Sequence, residues 1–280
     1  MPVLQPDVIE RFQTDGYVLS ESLLTTDEVD RYGAVVDRAV ARRTADDQRS
    51  LEQKTSYEQS FVQCMRLWET DPEVAPLTFH IALAEAAAEL LAVERVRLWQ
   101  DQALYKESGG RITDAHQDAT FWPIGDTPLV SAWIPLDGST LEGGAVGYVP
   151  GSHKLGKLKT VNLTETTEAY DILSDPALEG AEPRYVEAPK GSVVWHHGMT
   201  VHAALANRSG VTRRAFTVVY FADGFRRAKP WSNFPLDRAG VGVGELMEGE
   251  GLPLVWPRGG DQYPAVPMAL GQATGPQVGT

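Results

Sequence analysis

The chain has 280 residues, 42% of them hydrophobic and 22% charged, and a formal net charge of −13. That length and apolar content suit one β-barrel domain with helical extensions, and the negative balance argues against nucleic-acid or anionic-membrane partners. Cys64 is the single cysteine, which excludes an intramolecular disulfide; with no signal-type N-terminus and no apolar run of membrane-spanning length, the expectation is a cytoplasmic protein acting on a small molecule.

In chain order, residues 1–95 read mainly as helix. A short amphipathic helix starts at Asp7 and stops at the Asp15-Gly16 turn, and residues 17–19 form a brief strand. Thr25-Thr26-Asp27-Glu28 is a capped helix start, with acids in the first turn, and predicts a helix to about Arg43. The polar stretch 44–58 is a loop near the site or a continuation of that helix, and two more helices are predicted at 59–69 and 73–91. From Arg95 the pattern changes to short β-rich runs between Gly, Pro and Asp turns. Strands are predicted at 97–106, 115–118, 129–135, 145–149, 184–187, 192–195, 201–206 and 214–221, with an irregular excursion over 164–182. The predicted fold is mostly β with flanking helices, a double-stranded β-helix (jelly-roll, cupin-like) core. Residues 1–280 are expected to be one domain: a mainly helical N-terminal region over residues 1–95, a barrel core over 96–222 and a tail over 223–280 that packs through Trp231, Phe234 and Trp256.

His116-Gln117-Asp118 opens one predicted strand, His202 lies on a later one, and Arg213 follows eleven residues beyond. In extended backbone, alternate side chains share a face, so His116 and Asp118 point the same way. Two imidazoles and one carboxylate on one barrel face are the ligand set of a non-haem Fe(II) oxygenase with open coordination positions. A buried arginine suits an acidic co-substrate, because its fork pairs a carboxylate with two parallel hydrogen bonds. Arg213 and Arg214 are neighbours on one strand; only one points inward, and the spacing from His202 favours Arg213. His197 is the rival to His202, but no Asn-x-Ser and Arg follow it at the same distances.

The chain resembles the phytanoyl-CoA dioxygenase family of iron(II)- and 2-oxoglutarate-dependent oxygenases over roughly residues 8–222. The resemblance is carried by Phe12-Gln13-Thr14-Asp15-Gly16-Tyr17-Val18, by Gln102-Ala103-Leu104-Tyr105-Lys106 and by Thr113-Asp114-Ala115-His116-Gln117-Asp118. It continues in Trp133-Ile134-Pro135-Leu136-Asp137, Glu142-Gly143-Gly144-Ala145 and Val149-Pro150-Gly151-Ser152-His153. The last matching stretch holds His197 to His202, then Asn207-Arg208-Ser209 and Arg213-Arg214-Ala215. The resemblance implies that His116, Asp118 and His202 hold the iron and that Arg213 takes the distal carboxylate of 2-oxoglutarate. It places Gln102, Thr113 and Trp133 beside that co-substrate. The family often has serine two residues after the distal histidine; here Ala204 stands there, so that hydrogen bond is missing or Thr113 replaces it. Related iron halogenases carry a small residue in place of the acid, so Asp118 argues against halogenation.

The implied chemistry consumes O2 and 2-oxoglutarate, releases succinate and CO2, and hydroxylates a carbon of a small molecule, with secondary metabolism the first expectation. Desaturation, cyclisation and epimerisation share the same start, and a non-oxidative metal-dependent cupin-type enzyme is the further alternative. Phe121, Trp122, Trp195 and Met199 are the candidate substrate walls, with Tyr57 and Phe61 capping from the helical half. The sequence shows no basic groove suited to a coenzyme A phosphate.

Overall fold

The computed structural model describes residues 2–164, 170–260 and 262–268 and consists chiefly of two antiparallel sheets. A stretch of the predicted excursion (165–169) and the end of the tail (269–280) lie outside the described residues. The strands in chain order are β1 (Tyr17–Ser20), β2 (Val62–Met65), β3 (Val96–Lys106), β4 (Thr113–His116), β5 (Leu129–Pro135) and β6 (Val146–Tyr148). They continue with β7 (Arg184–Val186), β8 (Val193–His197), β9 (His202–Ala204), β10 (Arg213–Ala222) and β11 (Leu254–Trp256). The large sheet runs β1-β8-β5-β10-β3, with β11 and β2 sharing the outer edge of β3; the small sheet runs β4-β9-β6-β7. This is the jelly-roll core with flanking helices that the sequence predicts.

The helices are α1 (Pro6–Asp15), α2 (Thr26–Arg43), α3 (Leu67–Thr70), α4 (Ala75–Thr78), α5 (Ile81–Leu91) and α6 (Phe234–Arg238). Proline in the first turn of α1 lacks only an N–H that would be orphaned there, and the helix ends where Gly16 adopts φ 78°. A side chain at Gly16 would also collide with the His153 ring. α2 carries a reciprocal cap: Glu28 N donates to Thr25 Oγ1 (3.2 Å) and Thr25 N to Glu28 Oε2 (2.9 Å). Its buried stripe of Val29, Tyr32, Val36 and Val40 recurs at helical spacing and joins the core over the outer face of the large sheet.

Two helical predictions fail. Residues 62–65 form β2, paired antiparallel to β3 from Val62↔Tyr105 to Met65↔Gln102. The unpaired edge of β3 needs hydrogen-bond partners, and that need outweighs local helix propensity. The helix predicted over 73–91 is broken at His80, whose backbone is extended (φ −64°, ψ 124°) and whose ring packs edge-on against Tyr32.

Strand alternation divides the large sheet into two chemistries. Val130, Ala132, Ile134, Val193, Trp195, Phe216, Val218 and Tyr220 face the helices and form the main core. Their neighbours Ser131, Trp133, His196, Arg213 and Thr217 turn into the space between the sheets. No single helix among the described residues is long and apolar enough to cross a membrane.

Candidate active site

His116 closes β4, His202 opens β9, and the two are directly paired across the strands. Asp118 lies just past β4, at the start of a 3-10 turn (Asp118–Phe121), rather than on the strand itself. Gln117 nevertheless stays extended (φ −116°, ψ 125°), so alternation carries through. Its amide leaves on the opposite face, donating to the carbonyls of Gly156 (2.9 Å) and Met199 (2.7 Å), and Asp118 returns to the face of His116. Asp118 Oδ1 lies 3.6 Å from His116 Nε2 and 3.7 Å from His202 Nε2. One donor atom from each of the three residues falls within 4.8 Å of the others.

Backbone carbonyls set both tautomers. His116 Nδ1 is 2.7 Å from Asp114 O, and His202 Nδ1 is 3.0 Å from Thr200 O. A carbonyl only accepts, so each Nδ1 carries a proton and each Nε2 is the ring nitrogen left to face Asp118 or a metal. Burial pushes the His202 imidazole down to about 3 and keeps it neutral. Burial opposes the charge on Asp118, but the hydrogen bond from His196 helps hold its carboxyl well below the usual range. Two imidazole nitrogens and an anion thus converge on one point, as the ligands of a cation do. The donor set, two neutral imidazoles and one carboxylate, fits Fe(II).

Sequence reasoning missed two residues here. His196 Nε2 lies 3.1 Å from Asp118 Oδ2, and Ser131 Oγ donates to the same oxygen at 3.2 Å. They are opposed across the β5–β8 pairing. Alternation along residues 192–195, extended by one, would have put His196 on the inner face; its closeness to Asp118 depends on how the two sheets stack.

Arg213 is buried in the same cavity, its guanidinium 5.1 Å from the centroid of the Trp133 ring. Its Nη1 donates to Gly144 O (3.0 Å), its Nε has no partner, and no ion pair to it is found among the described residues. Burial lowers its pKa to about 10. A buried guanidinium without an acid is a site for an anionic ligand. Arg214 turns outward to Asp37 and Asp137, as alternation predicts. Thr113 stands opposite Ala204 in the β4–β9 pairing, so its hydroxyl is presented one strand away from the missing serine. Behind it, fully buried Lys106 donates to Thr113 Oγ1 (3.3 Å) and Arg111 O (2.6 Å), and burial brings its pKa to about 7. Gln102 lines the cavity and accepts from Gln63 Nε2 at 2.7 Å.

Phe121, Trp122, Tyr57 and Phe61 line the cavity; Trp195 and Met199 do not. Trp195 faces the helices because it alternates with His196, and its Nε1 donates to Ser20 Oγ (2.9 Å) in the main core. Met199 packs with Trp99, Leu129 and Leu236 in a separate cluster. His197 turns outward against His153, with ring centroids 5.5 Å apart, and neither ring belongs to the cluster of His116, Asp118 and His202.

Burial, then His153 and His196, lower the pKa of His197 to about 4. In the unfolded chain it would protonate near 6.5. Between those values the unfolded state binds more protons, so stability is expected to fall as pH drops from about 6.5 towards 4. His197→Gln should flatten that slope in thermal melts across pH 7 to 5; an unchanged slope would exclude His197 as a source.

The sequence matches the phytanoyl-CoA dioxygenase (PhyH) family over residues 12–215. A phytanoyl-CoA dioxygenase domain-containing protein 1 homolog from Caenorhabditis briggsae is 29% identical over 160 residues, covering 53% of this chain and 54% of that protein. The chain thus spans about half the length of the curated relatives it matches first. Among solved structures, the non-heme alpha ketoglutarate dependent carbocyclase SnoK from nogalamycin biosynthesis superposes with a TM-score of 0.75 at 26% identity, covering 90% of this chain and 96% of that one. The epimerase SnoN, in complex with Fe3+, alpha ketoglutarate and nogalamycin RO, has the same fold, with a TM-score of 0.72 at 24% identity over 89% of this chain and 97% of its own. With the ligand motif, the jelly roll and a family match over most of its length, the chain belongs to the phytanoyl-CoA dioxygenase family of iron(II)- and 2-oxoglutarate-dependent oxygenases.

Proposed function

We propose that this protein oxidises a neutral small molecule of secondary metabolism at an unactivated carbon, most simply by hydroxylation, in the cytoplasm. One observation carries the reading: a two-histidine, one-carboxylate cluster and a buried arginine with no acidic partner among the described residues share one cavity. His116, Asp118 and His202 would hold the iron, and Arg213, with Thr113 and Trp133 beside it, would hold the distal carboxylate of 2-oxoglutarate. Iron and 2-oxoglutarate, when bound, supply the activation of O2, with release of succinate and CO2. The chain's own residues fix the co-substrate, present the substrate and shield the reacting carbon from water.

The cavity lining supports a neutral substrate. Besides the histidines His116, His196 and His202, its basic side chains among the described residues are Arg66 and Arg213, and Arg66 is tied to Glu69 at 2.9 Å. Nothing in that lining matches the phosphates of an acyl-CoA. Phe121, Trp122, Tyr57 and Phe61 give an apolar aromatic surface, and Asn233, whose buried Oδ1 has no partner among the described residues, offers a polar contact from the tail.

A second outcome, ring closure or epimerisation, is favoured by the likeness to the carbocyclase and the epimerase. Anaerobic addition of Fe(II) and 2-oxoglutarate is expected to give a visible charge-transfer band, and a substrate screen should then follow succinate release. Product mass separates the outcomes: gain of one oxygen for hydroxylation, loss of two hydrogens for cyclisation or desaturation, no change for epimerisation. Failure to bind 2-oxoglutarate with iron present would sink the reading.

A further inference from the structure

We propose that His196 and Ser131 act together as a positioning clamp on Asp118, committing that carboxylate to the metal through Oδ1 alone. The inference rests on the metal-site reading above. Asp118 Oδ1 faces the two ligand imidazoles at 3.6 and 3.7 Å, whereas Oδ2 is met by His196 Nε2 at 3.1 Å and by the Ser131 hydroxyl at 3.2 Å. The two oxygens therefore have different neighbours. A carboxylate only accepts, so His196 carries its proton on Nε2 and donates; its Nδ1, buried with no partner among the described residues, is left as the free acceptor.

The clamp lies within the large sheet. His196 and Ser131 are a directly opposed pair on β8 and β5, two central strands of the large sheet, and are 4% and 0% exposed. Asp118, by contrast, sits on a short turn after the edge strand β4 of the small sheet. The interaction ties a ligand on a turn to the sheet across the sandwich. Two charge-assisted hydrogen bonds on Oδ2 oppose a swing of the carboxylate to bidentate binding, which would occupy a position needed for the co-substrate or O2.

The test uses the full-length protein and Co(II) under anaerobic conditions, read by its visible absorption and by the affinity. His196→Leu removes the main donor, and His196→Gln keeps an N–H at nearly the same reach. Outer partners of this kind typically govern 10–100-fold in metal affinity. His196→Leu is expected to weaken Co(II) binding by about that factor and to alter the absorption envelope at saturation, because the released carboxylate can turn bidentate, and His196→Gln to recover most of the affinity and the parent envelope. Ser131→Ala, which removes only a hydroxyl, should weaken binding by a smaller factor of roughly 3–10, in keeping with one neutral-donor hydrogen bond; it tests the clamp even if His196→Leu does not fold. Unaltered affinity in Ser131→Ala, unaltered affinity in a folded His196→Leu, or a Gln variant no better than Leu overturns the clamp. An envelope in His196→Leu identical to the parent's overturns it as well, and an envelope in His196→Gln as altered as in His196→Leu makes His196 a ligand and overturns it too. A parent protein that binds no Co(II) overturns the metal site itself, a failure distinguishable from that of the clamp.

Discussion

Asp118→Ala is expected to abolish succinate release and to weaken metal binding by more than about 100-fold, since loss of a ligand should exceed the 10–100-fold typical of outer partners. The substitution removes the only anionic member of the cluster and leaves two neutral imidazoles to hold a dication. It also strips the acceptor from His196 and Ser131, both buried. Leaving a buried donor unpaired costs about 1–3 kcal/mol, so a modest drop in melting temperature should accompany the loss. That drop is too small to explain a complete loss of turnover in a protein that still melts cooperatively. Metal titration and succinate detection on the same preparation separate the two effects. Full activity in the variant would place the metal elsewhere.

Arg213→Ala is expected to raise the 2-oxoglutarate requirement far more than Arg214→Ala. Truncating one partner of a buried, hydrogen-bonded charge pair costs about 2–5 kcal/mol, or roughly 30-fold to several thousand-fold in affinity. Arg213 meets those conditions: it is 6% exposed, backed by Trp133, and without an acidic partner among the described residues. Arg214 spans Asp37 and Asp137 at the surface, where such pairs contribute at most about 1 kcal/mol, so its removal should change co-substrate affinity less than about threefold. Arg213→Lys should fall between, because it keeps the charge and loses the fork. Co-substrate titrations of the three variants in the reverse order would overturn the assignment of which arginine faces the cavity.

The side-chain facing that both expectations need is legible from spacing and alternation, while the roles at metal and co-substrate are what the family resemblance implies. His116 and Asp118 share a face because Gln117 stays extended, and Arg213 points in because Arg214 points out. Features that depend on distant partners are not legible. Residues 62–65 look locally helical, and only the unpaired edge of β3, some forty residues away, draws them into a strand. Trp195 reads as a cavity wall, but its strand register puts His196 there and sends the indole to the helices. His196 and Ser131 meet Asp118 across the space between two sheets, which no one-dimensional pattern encodes.

The tail closes the cavity with Asn233, Phe234 and Pro235, and the double pairing of Arg238 with Glu69 (both 2.7 Å) pins α6 to the body beside Arg66. These three wall residues lie past position 215, where the family match ends. Mutations there can reshape the chamber while the strands bearing His116, His202 and Arg213 keep their register. On the proposed reading, chemistry and selectivity lie on separate stretches of chain, so exchanging the segment after β10 between relatives is expected to change the substrate taken while leaving the His116, Asp118 and His202 cluster in place.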